Sequence, residues 1–336
     1  MDGMQKILFE KNDTGIEMSF ILYIPSNISN DSSLILNGIT PGVGTPETYD
    51  EDEKFNTNKF GTYSDSYKEA LNVASKGYFS RIYKKIAINY NNPMLIPLIP
   101  RCDGLYTGFL GYDVYHENYS NAVKLYEQGI SNFSSEDLEK FRSLDVQIAQ
   151  MIYYSINFIN KKYDLNLDYK VIATGYSASS KMVNYFTALH PDLVKMVIGG
   201  GTGGLTIIPT KDFDYPLGFK DLNDENLLLY KKIPQFYYIG KDDQNDPSRP
   251  KIDEDGEYIL RNGGFYSLEQ VKIIHPKYSD VQKRFDRVKE IYEEQGLDNI
   301  VFKKYNGDHE INDDTLENDI FNFYESNLYN KNSIKK

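Results

Sequence analysis

The sequence predicts an α/β fold, with a mostly parallel central sheet, helices on both faces and an antiparallel hairpin at the N-terminal end. Three observations predict it. Short apolar runs, too brief for helices and mostly ending in Gly or Pro, recur along the chain. Between them lie stretches with apolar residues at three- and four-residue steps. Two strand-like runs at the start flank turn residues. Strands alternating with helices imply right-handed crossovers and a parallel sheet buried on both faces.

The hairpin is expected from residues 5–9 and 17–24, which flank Asn12-Asp13-Thr14-Gly15, and it belongs at a sheet edge. Buried strands are expected at Ser33 to Leu36, Met94 to Ile99, Lys170 to Thr174, Val194 to Ile198, Gln235 to Ile239 and Ile300 to Tyr305. A long helix is expected where Phe141, Leu144, Ile148, Met151, Ile152, Ile156 and Ile159 recur, behind a capping signal at Ser134/Ser135. Met182, Val183, Phe186 and Leu189 mark one face of another helix, which Pro191 helps to end. Val281, Phe285, Val288 and Tyr292, and then Leu316, Ile320, Tyr324 and Leu328, repeat the pattern.

Two stretches, residues 101–133 and 247–276, break the alternation and read as excursions over the sheet that cap or line a pocket. In the second, Asp253-Glu254-Asp255-Gly256 fits a hairpin turn better than a calcium loop, because Lys251 and Asn262 occupy ligand positions. No repeat or low-complexity linker divides the chain, so residues 1–336 are expected to form one elaborated domain.

Composition narrows the function classes. With 40% hydrophobic and 14% aromatic residues the chain can bury a substantial core. Lys plus Arg number 37 against 49 Asp plus Glu, a net charge of −12 that argues against nucleic acid or an anionic membrane surface as the main partner. Met1 to Asn12 does not resemble a leader peptide and no run of about 18 apolar residues occurs. A soluble cytoplasmic protein with no membrane partner is expected. Cys102 is the single cysteine, which excludes an internal disulfide and a thiolate metal cluster and fits a reducing compartment. No cofactor or metal is expected, and nothing in the sequence speaks to oligomeric state.

The chemistry centres on Gly175-Tyr176-Ser177-Ala178-Ser179, between an expected strand and an expected helix. On such a sharp turn a serine is forced into a strained conformation that exposes its hydroxyl, and small residues two before and two after it let strand and helix approach. Gly175 and Ser179 are those small residues. The competing reading is that Ser177 merely caps the helix. A nucleophilic serine also needs a base, and the base needs an orienting acid.

Of four histidines, His116 precedes the serine, His190 ends the helix that follows it, and His275 sits in a loop before Pro276. His309, in Asn306-Gly307-Asp308-His309-Glu310 after the last strand, is the candidate base. The acid is sought in Lys241-Asp242-Asp243-Gln244-Asn245-Asp246. Asp243 is preferred because the chain has turned back over the sheet three residues past Gly240; Asp242 is expected to face solvent, and Asp246 stays open. Oxyanion donors are expected from the backbone N–H of Ala178 and of Ile39, with Thr40 in reserve, in the loop Asn37-Gly38-Ile39-Thr40.

Taken together, LILNGITPG, LIPLIPRCDG, ATGYSASSKMVNYFTALHPDLVKMVIGGGTGG, FYYIGKDDQNDP and YNGDHEIN resemble the α/β-hydrolase superfamily, and more narrowly a bacterial esterase-like or polyester-depolymerase-like group of serine hydrolases. The resemblance implies an α/β-hydrolase fold, with Ser177 as nucleophile, Asp243 as acid and His309 as base. It implies cleavage of a small-molecule carboxylic ester, or an amide or thioester, through an acyl-serine. The same residues are compatible with acyl transfer to an acceptor other than water, or with a binding protein on a hydrolase scaffold. Two positions depart from the superfamily pattern: Asn37 where His is frequent, and Ser179 where the elbow motif ends in Gly.

Overall fold

The computed structural model describes residues 3–38, 62–76, 81–100, 123, 126–129, 132–203, 206–245, 251–252, 258–259, 281–309 and 314–328. The chain opens with strand β1 (Met4–Phe9), a single helical turn α1 (Lys11–Thr14) and strand β2 (Phe20–Pro25). These two strands pair antiparallel, from Met4 opposite Pro25 to Phe9 opposite Phe20. The expected turn residues are therefore wound into α1, which Gly15 ends in a left-handed conformation at φ 74°.

Strand β3 (Ile35–Asn37), helices α2 (Tyr63–Lys76) and α3 (Arg81–Asn89), and strand β4 (Met94–Pro97) follow. Next come α4 (Ser135–Glu139), α5 (Leu144–Tyr163), β5 (Val171–Tyr176), α6 (Ala178–Leu189) and β6 (Val194–Gly200). The chain continues through α7 (Asp224–Tyr230), β7 (Gln235–Gly240), a two-stranded pair of β8 (Lys251–Ile252) and β9 (Tyr258–Ile259), α8 (Val281–Glu294), β10 (Ile300–Tyr305) and α9 (Asp314–Leu328).

Eight of the strands form one sheet in the order β1-β2-β4-β3-β5-β6-β7-β10. All six from β4 to β10 run parallel, and the hairpin joins β4 antiparallel at one edge. Each expected buried strand is present within two residues of its expected ends. Strands β2 to β7 are buried almost throughout because helices cover both faces. On one face, Leu36, Ala173, Val197 and Tyr237 pack with α5, α6 and the start of α8. On the other, Ile35, Ile172, Ile198 and Tyr238 pack with α2, α3 and α9.

Two expectations are corrected. Ser134 does not open the long helix: its hydroxyl accepts from Asp137 N–H, and the Asp137 carboxylate accepts from Ser134 N–H, a capping box that starts the short α4. The long helix begins anew at Leu144, after Ser143 turns left-handed at φ 49°. The second correction concerns 206–223, an irregular stretch not singled out from the sequence. It buries Ile207, Ile208, Leu217 and Phe219 against Tyr185 of α6 and Tyr292 of α8. Of the two expected excursions, 101–133 and 247–276, nearly all lies outside the described residues, and with it Cys102, His116, His275 and the turn at 253–256.

Candidate active site

The parallel strands present their C-terminal ends on one side of the sheet, where α/β folds gather their ligand sites. Ser177 follows β5, Asp243 lies three residues past β7, and His309 lies four residues past β10. Sheet pairing brings these ends together: Tyr176 stands opposite Gly200, and Tyr305 opposite Gly240.

At the end of β5 the strand runs through Tyr176 and α6 starts at Ala178, so Ser177 alone makes the turn. It does so at φ 58° and ψ −126°, a strained conformation for a residue with a side chain. Its hydroxyl makes no capping bond to the helix, and the dihedral lies outside the extended region where an N-cap serine normally sits. Helix capping therefore does not explain Ser177. The tight turn depends on Gly175, where a Cβ would lie 2.5 Å from the Ser179 carbonyl carbon and 2.6 Å from Ser180 N. Ala178 is the first residue of α6, so its N–H has no intrahelical acceptor.

Asp243 and His309 meet through an equally close pair of loops. Lys241 N–H donates to Tyr305 O at 2.9 Å and Asp242 N–H to Gly307 O at 3.0 Å. A Cβ at Gly240 would overlap the carbonyl oxygens of Gly307 and Asp308, which glycine alone leaves room for. Asp243 is fully buried, whereas Asp242 is exposed. Asp243 Oδ2 lies 2.8 Å from His309 Nδ1, and Oδ1 accepts from Asn245 N–H at 2.9 Å. An ionised carboxylate only accepts, so His309 Nδ1 carries the proton and Nε2 is the basic nitrogen. That Nε2 is buried and has no hydrogen-bond partner among the described residues.

The imidazole lies beside the elbow. Its ring centroid is 5.0 Å from that of Tyr176, and its Cε1 would be 3.1 Å from a Cβ on Gly201. Gly201 follows Gly200, whose carbonyl accepts from Ser177 N–H at 2.8 Å. Ser177, Asp243 and His309 thus stand past the C-terminal ends of β5, β7 and β10 of one sheet. This strand order with a strained serine elbow after β5 decides the architecture. The chain has the α/β-hydrolase fold.

Of the loop Asn37-Gly38-Ile39-Thr40, from which an oxyanion donor is expected, Asn37 and Gly38 are described. Asn37, where the superfamily often has His, is buried and its Oδ1 accepts from Thr174 Oγ1 at 2.9 Å. Gly38 N–H donates to Thr174 O at 3.0 Å, which extends the β3–β5 pairing toward the elbow. Ile39, Thr40 and the alternative acid Asp246 lie outside the described residues. His190 ends α6, as its place before Pro191 suggests, with Nε2 3.0 Å from Asp145 Oδ2. Among the described residues no group of three or more His, Cys, Asp or Glu could hold a metal, and no helix is long and apolar enough to cross a membrane.

Sequence reasoning missed the tyrosines that surround the elbow. Tyr83 of α3 donates to Gly175 O at 2.6 Å, so the proton between Tyr83 and Tyr238, 2.8 Å apart, belongs to Tyr238. Burial raises both phenols well above their ordinary pKa. Tyrosine abundance was visible in the composition; that these rings converge on one site depends on sheet register.

No protein-family model matches the chain, and no curated protein matches its sequence. Among solved structures it is similar to the poly(3-hydroxybutyrate) depolymerase LpqC of Bordetella parapertussis, with 14% identity over 91% of this chain and 83% of that one and a TM-score of 0.48. It is also similar to the siderophore hydrolase EstB of Aspergillus nidulans, with 8% identity over 97% and 94% of the two chains and a TM-score of 0.41. An acetyl xylan esterase of Aspergillus awamori aligns at 13% identity over 73% and 74%, with a TM-score of 0.37. Likenesses this distant carry no argument about activity; the fold assignment rests on the strand order and elbow of this chain.

Proposed function

We propose that this protein is a serine hydrolase that cleaves a small-molecule carboxylic ester through an acyl-Ser177 intermediate. The observation that carries the reading is the strained, non-capping Ser177 beside a histidine whose Nδ1–H is held by the buried Asp243 and whose Nε2 is unpaired.

In the first half-reaction Ser177 Oγ bonds to the ester carbonyl carbon while its proton passes to His309 Nε2. The resulting imidazolium is stabilised by the Asp243 carboxylate, which keeps its charge. Ala178 N–H, at the positive end of α6, donates to the developing oxyanion, a contribution of roughly 3 kcal/mol per donor. Ile39 N–H is the second donor in this reading. Collapse breaks the bond to the alkoxide, which leaves as the alcohol with the proton from Nε2. Water then attacks the acyl-enzyme, with Nε2 again as base, releasing the acid and restoring Ser177.

A fluorophosphonate probe tests the proposal directly. Mass spectrometry is expected to find the label on Ser177, and Ser177→Ala is expected to abolish both labelling and hydrolysis of nitrophenyl butyrate while retaining the fold. Full hydrolysis by Ser177→Ala, or a label on another residue, would overturn it.

A further inference from the structure

The elbow and the histidine loop grow from strands that are not neighbours. β6 and β7 separate β5 from β10, so Tyr176 and Tyr305, the last residues of those strands, are rooted roughly 14 Å apart, three strand spacings. Their side chains nevertheless meet. Both lie on the sheet face covered by α3 and α9, and their hydroxyl oxygens are 3.2 Å apart. Tyr305 Oη donates to Asp308 O at 3.1 Å, and a carbonyl only accepts, so the proton between the two phenols comes from Tyr176. The chain of donors therefore runs from the residue before Ser177, across two strands, to the carbonyl of the residue before His309. The same Asp308 carbonyl is pressed against Gly240, and the Tyr176 ring flanks the imidazole.

We propose that Tyr176 and Tyr305 are positioning residues, a hydroxyl bracket that fixes the height of His309 Nε2 over the elbow; the proposal rests on the hydrolase reading above. Neither phenol is assigned a proton-transfer step. Burial holds the Tyr176 phenol far above its ordinary pKa, with Tyr305 adding to the shift, so it remains a donor wherever the protein is folded. The bracket acts on the base without contacting substrate. Its loss affects the chemical step more than ground-state binding.

The test uses fluorophosphonate labelling of Ser177 in the full chain, followed against pH, with ester hydrolysis in parallel. Tyr305→Phe keeps the ring and removes both bonds. The labelling rate and kcat are expected to fall roughly tenfold with KM little changed, and the pH midpoint of the rate profile to move. Tyr176→Phe, which leaves the Tyr305–Asp308 bond, is expected to lose less, and the double variant to be no slower than Tyr305→Phe alone. Tyr230→Phe is the control: it deletes a buried hydroxyl bonded to Tyr292 and Asn184, in the network that includes Tyr237 on the other face of the sheet, and is expected to lower Tm while labelling stays at the wild-type rate.

The bracket is overturned if Tyr305→Phe labels at the wild-type rate with an unmoved pH profile, if Tyr230→Phe loses as much, or if the two losses simply add. Should Tyr305→Phe fail to fold, Tyr176→Phe decides, and a wild-type rate there overturns the proposal. A wild-type protein that Ser177 labelling does not detect brings down the hydrolase reading and the bracket with it, a result distinct from a labelled wild type with unaffected variants.

Discussion

Gly240→Ala perturbs the junction between the acid and base loops by a single methyl. The new Cβ would lie 2.9 Å from Asp308 C and closer still to the Asp308 and Gly307 oxygens. Both are backbone atoms, so no side chain can swing away. Restoring van der Waals separation requires the Asp308 carbonyl to retreat by roughly 1 Å, and His309 is the next residue along. A displacement of that size at a reacting group costs about 10²-fold in rate, equivalent to ~2.7 kcal/mol of transition-state stabilisation. Purified Gly240→Ala is therefore expected to hydrolyse nitrophenyl butyrate about a hundredfold more slowly, with the loss mainly in kcat. Its Ser177 labelling should slow in proportion. The same variant at wild-type kcat, with a thermal unfolding curve that shows it folded, would refute the claim that backbone contact at Gly240 sets the position of the base.

Two further outcomes separate the roles of neighbouring groups. Asp243→Asn removes the carboxylate that holds His309 Nδ1–H and is expected to lower kcat about 10³–10⁴-fold, whereas Asp242→Asn, at an exposed position, should stay within about twofold; the reverse ranking in a side-by-side ester assay would transfer the acid role. Alkaline stability tests the tyrosine core. Burial raises the pKa of Tyr83, Tyr230, Tyr237, Tyr238 and Tyr292, so their stabilising contribution is complete below the unfolded value of about 10 and is lost as pH rises above it. The loss steepens with each buried phenol that must ionise on unfolding. Cooperative unfolding is expected as pH rises above about 10, with tyrosinate absorbance rising in the same step as loss of circular dichroism; ionisation of these phenols in a protein that stays folded would count against it.

Much of this was legible because the decisive signals are local. Strand runs such as Val194–Gly200 and Gln235–Gly240 are short and mostly apolar, the elbow is five consecutive residues, and the order Ser177, Asp243, His309 follows from position along the chain. The preference for Asp243 rests on the chain turning back past Gly240; Asp243 N–H donates to Gly240 O at 3.2 Å, and its carboxylate meets the histidine while Asp242 is exposed. Less legible were features whose cause is distant in sequence. Helices α2 and α3 were not anticipated; α3 buries Ile82, Tyr83 and Ile86 against a sheet face whose buried residues come from seven strands. The break between α4 and α5 was missed because Phe141 and Leu144 keep helical spacing across a kink set by Ser143. The tyrosine bracket depends on β5 and β10 ending at matching heights, which no local pattern records.

The relative positions of the three site residues are set mainly by backbone. Past the ends of the strands the pairing continues: Ser177 N–H to Gly200 O, Gly201 N–H to Tyr238 O, Lys241 N–H to Tyr305 O and Asp242 N–H to Gly307 O, all between 2.8 and 3.0 Å. Each bond ties one loop to its neighbour in sheet order, from the elbow after β5 to the histidine loop after β10. A one-residue slip in any of these pairings would turn the side chains of that strand to the opposite face and separate serine from base. Substitutions that leave the ladder intact, above all in the segments beyond it, can therefore change what enters the site without moving Ser177, Asp243 or His309. In the proposed reading, chemistry and substrate choice are therefore carried by different parts of the chain.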